Sequence, residues 1–163
     1  MDTELFLQAK EYCNHKGLRV VKKDRIGFGT DGSVWRSNRE TAVKACYRED
    51  NYRNEIKCYE IFKNRGISKI NGLSIPILEG SDSEGRVIEM TIVEPPYLLD
   101  FGKVYVDEPP PYRLYEMPSW HEKIREEFEG NAGKVYAILS ALRQLGIHYV
   151  DPRPGNINFG EEE

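Results

Sequence analysis

The segment Ile26-Gly27-Phe28-Gly29-Thr30-Asp31-Gly32-Ser33-Val34-Trp35 constrains the fold more than any other. Gly27, Gly29 and Gly32 let the backbone turn sharply and approach a phosphate with no Cβ atom in the way. Leu18-Arg19-Val20-Val21 opens a strand before the glycines, and Val34-Trp35-Arg36 reads as a second strand after them. A glycine run that opened a helix would belong to a parallel dinucleotide-binding sheet, whereas one flanked by strands predicts an antiparallel hairpin. That hairpin has two readings, a cover over phosphates or a flexible turn with no ligand.

The next strand is Thr41-Ala42-Val43-Lys44-Ala45-Cys46. Side chains alternate faces along a strand, so Lys44 points with Ala42 and away from Val43 and Ala45. A lysine on an inner face is costly unless a carboxylate or phosphate pairs with it. A surface lysine is the plain alternative. Residues 50–64 form a helical stripe of Tyr52, Glu55, Ile56, Tyr59, Ile61 and Phe62, in which Glu55 is the one acid and a candidate partner for Lys44.

Elsewhere the patterning is simpler. A first helix over 3–16 carries Leu5, Phe6, Ala9 and Tyr12 or Cys13 on one face, and Gly17 stops it. Residues 66–74 read as loop or frayed helix end. Residues 75–80 and 86–93 read as two antiparallel strands joined by the turn Ser81-Asp82-Ser83-Glu84-Gly85. Glu94-Pro95-Pro96-Tyr97 breaks the second strand, and residues 97–111 are turn-rich. A short helix over 117–128 is predicted with Ser119 as cap and Glu122 three residues on. A strong helix over 132–145 aligns Val135, Ile138, Leu139, Leu142 and Leu145, and Gly146 ends it.

Gly146 leads into a Pro-rich loop with Asp151 and Asn156, then a short apolar strand. An Asp so placed can accept a proton from a hydroxyl nucleophile, and an Asn five residues on can turn back and ligate a metal. Both are also ordinary turn residues, so a polar turn closing the domain is the other reading.

The 163 residues suggest one domain with a sizeable core. A formal net charge of −4 argues against a nucleic-acid or membrane-surface binder, which would carry a basic face. No apolar run is long enough to span a bilayer, and Met1-Asp2-Thr3-Glu4 lacks the basic and apolar regions of a signal peptide. Cys13, Cys46 and Cys58 form no CxxC pair, which points to a reduced, cytoplasmic setting. His15, His121 and His148 are scattered and suggest no metal cluster. The terminal Glu161-Glu162-Glu163 reads as a solvated tail.

Glycine hairpin, strand Lys, helix Glu, apolar hairpin with a break, and helix followed by an Asp-x4-Asn loop stand in an order that resembles the eukaryotic-type protein kinases and their minimal relatives. Gly27, Gly29, Gly32 and Val34 match that family's GxGxxGxV pattern. Ala42-Val43-Lys44 looks like the strand motif whose Lys holds the α- and β-phosphates, and Glu55 like the helix-C Glu that pairs with it. Glu94 to Tyr97 falls at the interlobe hinge, whose backbone hydrogen-bonds adenine. Gly146 to Phe159 aligns without a gap on the catalytic-loop segment. There Asp151 falls on the catalytic base, Asn156 on the Mg-binding Asn, and Arg153 on the basic residue that contacts the transferred phosphate. Tyr149 and Val150 replace the usual His and Arg, and no role is carried onto His148.

The resemblance covers about residues 18 to 160. It implies an α+β, kinase-like fold with a twisted antiparallel N-lobe sheet, a helix C and a much reduced helical C-lobe ending at the catalytic loop. Residues 1–163 then form one domain: an N-terminal helix (1–17), an N-lobe (18–94), a hinge (95–98) and a reduced C-lobe (99–163). ATP is the implied ligand, bound through Gly27, Gly29, Gly32, Val34, Lys44 and Glu55, with Mg at Asn156.

Departures from the family leave the activity open. The spacings from Gly27 to Lys44 and from Lys44 to Glu55 are short, so the hairpin tip and the start of helix C are trimmed. After the loop the family continues with Asp-Phe-Gly, carrying the main Mg-binding Asp, then an activation loop and a helical lobe. Here the sequence ends at Glu163, and Asn158-Phe159-Gly160 aligns with the strand before that motif. Asp100-Phe101-Gly102 matches the letters but precedes the loop, so on chain order it reads as a turn. The alternative is that the segment folds back and Asp100 serves as a metal ligand. Two functions follow. One is an ATP-dependent, Ser/Thr-kinase-type phosphotransferase with Asp151, Arg153 and Lys44 as its catalytic residues. The other is an inactive pseudokinase that binds a nucleotide or a protein partner. A reduced lobe also leaves the apolar face of residues 132–145 to be covered by residues 97–130 or by a second copy, which raises a homodimer.

Overall fold

Alternation along the strand Thr41–Cys46 sorts the protein into two cores, one on each face of a sheet. The computed structural model describes residues 2–160, so the Glu161-Glu162-Glu163 tail lies outside the described residues. The elements are α1 (Asp2–Lys16), β1 (Val20–Phe28), β2 (Gly32–Ser37), β3 (Thr41–Cys46), α2 (Glu49–Asn64), β4 (Lys69–Ile70), β5 (Leu73–Ser74), β6 (Leu78–Asp82), β7 (Val87–Thr91), β8 (Tyr97–Leu98), β9 (Tyr105–Val106), α3 (Pro118–Phe128), α4 (Ala132–Gln144), β10 (Ile147–His148) and β11 (Ile157–Asn158). The result is a mixed α+β architecture. Its N-terminal sheet is antiparallel with strand order β1-β2-β3-β7-β6.

One face of this sheet is covered by α1. Leu5, Ala9, Tyr12 and Cys13 meet Trp35, Val43, Ala45 and Val87 there. Within this apolar layer the Tyr12 hydroxyl donates to Glu89 Oε1 at 2.9 Å, and both side chains are buried. A Cβ at Gly80 would lie 2.4 Å from that hydroxyl, so glycine at this place in β6 leaves room for the bond. The opposite face, bearing Ala42, Lys44 and Cys46, receives α2 through Tyr52, Cys58, Tyr59 and Phe62. That core continues into α3, α4 and the loop regions, so a single apolar cluster joins the sheet to the C-terminal half.

Two further strand sets lie beyond the sheet. β11, β8, β5 and β4 form one in that order, with β8 antiparallel to β11 and parallel to β5. β9 and β10 form the other. The β4–β5 hairpin replaces the loop or frayed helix expected over 66–74. Its turn is Asn71-Gly72, with φ of 49° and 85°, and an Asn-Gly pair at positive φ is the favoured two-residue hairpin turn. β6 starts at Leu78, later than the strand expected from residue 75, because Pro76 has no N–H to offer a ladder. α3 begins at Pro118 with Met117 at the cap position and no capping side chain. Ser119 is therefore inside the helix and not its cap, since proline with its fixed φ sets the first helical position. α3 packs against α4, and Ile124, Phe128, Val135, Ile138, Leu139 and Leu142 close the interface. Residues within 97–130 thus cover the α4 face, and a second copy is not required to do so.

All three cysteines are free and buried. Burial pushes the Cys13 thiol up to about 11 and the Cys46 thiol up to about 12. No helix among the described residues is long and apolar enough to cross a membrane. Tyr12→Phe leaves Glu89 without its buried donor and is expected to cost about 1–3 kcal/mol. Urea unfolding checks this: the midpoint should fall with the slope unchanged.

Candidate functional site

Lys44 and Glu55 meet where β3 faces α2. Lys44 Nζ lies 2.9 Å from Glu55 Oε2, with the two side chains 10% and 1% exposed. Burial by itself would lower the Lys44 ammonium, but the Glu55 and Asp100 carboxylates more than offset it, so the group stays charged with its pKa raised. Burial pushes the Glu55 carboxyl up, against the pull of Lys44 and of a backbone N–H from Phe101. That N–H donates to Glu55 Oε1 at 3.2 Å.

The Phe101 contact shows where the Asp100-Phe101-Gly102 segment goes. On chain order it reads as a turn, with a fold back onto the site as the alternative; the structure has the segment turn at 102–103 and fold back onto the site. β8 is the cause. Leu98 pairs with Ile157 and Tyr97 with Asn158, immediately after the 149–156 loop. Leu99 N–H then donates to the Asn156 carbonyl at 2.8 Å, and the Tyr149 hydroxyl donates to the Leu99 carbonyl at 2.6 Å. Phe101 is fully buried and edge-on to Tyr59, Phe62 and Tyr149, with ring centroids 5.6, 5.2 and 5.6 Å away. Tyr149 is thus a packing and hydrogen-bonding residue at this position. Gly102 accepts from the Asn51 and Asn54 amides of α2 at 2.9 and 3.1 Å.

Asp100 is left at the centre. Its φ is +66°, a left-handed conformation that costs most L residues about 1 kcal/mol and that Asp tolerates better than most. Its Oδ2 accepts from Asn156 Nδ2 at 3.2 Å, and its Oδ1 lies 3.9 Å from Lys44 Nζ. An acid, an amide and a lysine from three separate parts of the chain therefore share one contact set.

Asp151 stands on the other side of Asp100. Arg153 Nε donates to its Oδ2 at 3.0 Å and its Oδ1 at 3.1 Å. Lys103 and Lys123 approach the same carboxylate at 3.8 and 3.9 Å. The sequence pattern singled out Asp151 and Arg153 but neither lysine, since each is an isolated charge in a segment of different structure. Trp120 Nε1 donates to the Val150 carbonyl at 2.9 Å, so α3 steadies the residue before Asp151.

A cleft of about 680 Å³ opens between the glycine hairpin, β3, residues 92–97 and the loop, and Lys44, Glu55, Asp100 and Asn156 all line it. Asp100 also lines a small adjoining hollow with Lys103, Tyr149 and Asp151. Gly27, Gly29, Gly32 and Val34 are at the cleft. A Cβ at Gly32 would sit 2.0 Å from the Ala45 carbonyl oxygen, so packing against β3 alone requires that glycine. Gly29 differs: an added Cβ would meet nothing within 4 Å. Nothing in the protein asks for glycine there, whereas a ligand lying over the hairpin would. Among the described residues no group of three or more His, Cys, Asp or Glu is arranged to hold a metal. One or two carboxylates plus ligand phosphates is the usual set for Mg, and Asp100 supplies one; Asn156 would join it once its amide turned its oxygen to the ion in place of the Nδ2 that donates to Asp100.

No family model matches the chain, and no curated protein matches it. Among solved structures it is similar to the ADP-bound crystal structure of aminoglycoside phosphotransferase APH(2'')-Ib, with a TM-score of 0.40 and 14% identity. That alignment covers 95% of this chain and 42% of the other, so this chain spans less than half its length. A likeness at that score and identity carries no functional inference.

The buried pair makes a double-mutant prediction. Lys44→Met alone strands the Glu55 carboxyl and is expected to cost about 3–5 kcal/mol. Adding Glu55→Leu is expected to recover most of that loss, read as guanidinium midpoints of the two variants.

Proposed function

We propose that the chain is a kinase-like, ATP-binding phosphotransferase whose nucleotide occupies the cleft between the β1–β2 hairpin and the 149–156 loop. One observation carries the reading. Lys44, Glu55, Asp100, Asn156 and Asp151, which lie far apart in sequence, meet around this cleft and the hollow that adjoins it. In the family it resembles, Asp-Phe-Gly follows the catalytic loop. Here Asp100-Phe101-Gly102 precedes the loop and reaches it through the β8–β11 pairing, and on this reading Asp100 takes that acid's place. Domain boundaries follow the same reading: the lobes divide at residues 95–98, and the backbone of 94–97 faces the adenine.

Each residue then has a task. Gly27 and Gly29 leave the backbone open to the phosphates, and Val34 flanks the base. Lys44, kept charged and oriented by Glu55, holds the α- and β-phosphates. Asp100 and Asn156, its amide turned from the bond to Asp100, would hold Mg, which would supply positive charge against the phosphates. Asp151 takes the proton of the acceptor hydroxyl, and Arg153 swings from Asp151 to the transferred phosphate. A nucleotide-binding module without turnover is the second reading, and the Asp151 contacts favour it: both oxygens already accept from Arg153, so one must be released before it takes a proton.

Thermal shift with ATP tests the binding claim. ATP at a hundredfold excess over Kd should stabilise the protein by about 2.7 kcal/mol. Gly29→Ala should leave the unliganded protein as stable or slightly more so, yet weaken that shift. No ATP-dependent shift in any metal condition would sink both readings. Asp151→Asn separates them: for an enzyme, phosphate transfer falls about 10²–10⁴-fold with the ATP shift retained, whereas a binding module shows no transfer to lose.

A further inference from the structure

The tip of the glycine hairpin holds a carboxylate that none of these roles uses. Asp31 lies in the turn between β1 and β2, where an acid would ordinarily face water, yet it is only 6% exposed. Its backbone is fixed, since Tyr47 N–H donates to the Asp31 carbonyl at 3.0 Å and Gly29 N–H to the Gly32 carbonyl at 3.0 Å. Oδ1 has Thr30 Oγ1 at 3.5 Å and Lys103 Nζ at 4.0 Å. Oδ2 is buried with no hydrogen-bond partner. That oxygen points inward, because a Cβ on Gly102 would lie 2.8 Å from it. The neighbouring carboxylate is Asp100, whose Oδ1 accepts from the N–H of the same Gly102 at 3.3 Å, and both acids line the cleft together with Asn156.

Two adjoining carboxylates repel, and a buried oxygen with no donor is costly. Lys44 and Lys103 flank the pair but leave Asp31 Oδ2 without a partner: Lys44 Nζ bridges Glu55 at 2.9 Å and Asp100 Oδ1 at 3.9 Å, and Lys103 lies on the Oδ1 side of Asp31 between it and Asp151. A hard cation with oxygen ligands would remove both penalties at once. Two carboxylates, joined by the Asn156 oxygen once that amide turns from donating to Asp100, suit Mg²⁺ or Mn²⁺, and lack the imidazole or thiolate that zinc prefers.

We propose that Asp31 is a metal ligand, and that with Asp100 and Asn156 it forms a divalent-cation site that pins the hairpin tip to the floor of the cleft and fills without nucleotide. The idea rests on the proposed function only in taking Asp100 and Asn156 as metal ligands. Cation binding can be measured with no nucleotide present, so the two claims fail separately.

The test uses the full chain stripped with EDTA. Mn²⁺ is titrated by the loss of its free electron-paramagnetic-resonance signal, and melting temperature is followed with Mg²⁺ or Mn²⁺. The wild type should bind Mn²⁺ and melt higher with either ion. Asp31→Asn should weaken Mn²⁺ binding by about tenfold or more. The same substitution should raise the melting temperature of the metal-free protein, because the like-charge contact with Asp100 is gone. Gly102→Ala, which crowds Asp31 Oδ2 without changing charge, should also weaken Mn²⁺ binding. Failure of the wild type to bind Mn²⁺ without nucleotide, or equal affinity in Asp31→Asn, would overturn the proposal. The ATP shift in EDTA, lost in Lys44→Ala relative to that variant's own baseline, reports on the nucleotide reading independently.

Discussion

An ammonium and a carboxylate removed from water between β3 and α2 set the terms for the rest of the structure. Lys44 and Glu55 Oε2 pair as charges at 2.9 Å without hydrogen-bond alignment, and the carboxylate has a second oxygen that, at 1% side-chain exposure, no solvent reaches. The Phe101 N–H fills that need. A buried ion pair tolerates burial only when its remaining lone pairs are met. The backbone of residues 99–102 is therefore drawn against α2, and what it carries is drawn in with it: Asp100 beside Lys44, and Phe101 into the space between Tyr59, Phe62 and Tyr149. One polar requirement thus couples the sheet, α2 and the C-terminal half.

Short strands complete the coupling. β8 and β11 have two residues each, too few to be stable alone, yet their pairing places Asp100 and Asn156 side by side. The surrounding apolar cluster, which runs from Ala42 and Cys58 through Phe101 to Leu142, supplies the stability that these strands lack. Chain order and spatial order therefore part company here. The 97–102 segment and the 149–158 segment meet as neighbours although two helices separate them in sequence.

The charges divide the site. On the cleft side, acids outnumber cations: Asp31, Asp100 and Glu55 line it with Lys44, which pairs with Glu55 at 2.9 Å and lies 3.9 Å from Asp100. On the loop side the balance reverses, with Arg153, Lys103 and Lys123 around the single carboxylate of Asp151. Lys103 belongs to both, between Asp31 and Asp151. A cation added on the first side and a phosphate on the second would bring each half closer to neutrality.

Much of this was legible in the residues. Period-two alternation put Lys44 on the face of Ala42, away from Val43 and Ala45, the helical stripe offered Glu55 as a candidate partner, and the glycines before a strand predicted a hairpin. These inferences succeed because each depends on one element and its own periodicity. Local signals were also passed over, as with Asn71-Gly72, which makes a hairpin where a loop was expected. The position of Asp100 was beyond such reasoning. Along the chain, Asp100-Phe101-Gly102 precedes the loop it meets, and sequence order argued for a turn there. The buried phenyl ring, the second oxygen of Glu55 and a two-residue strand pairing bring it back. None of these forces is local, since each is a contact between residues about fifty positions apart, and only the assembled tertiary structure contains it.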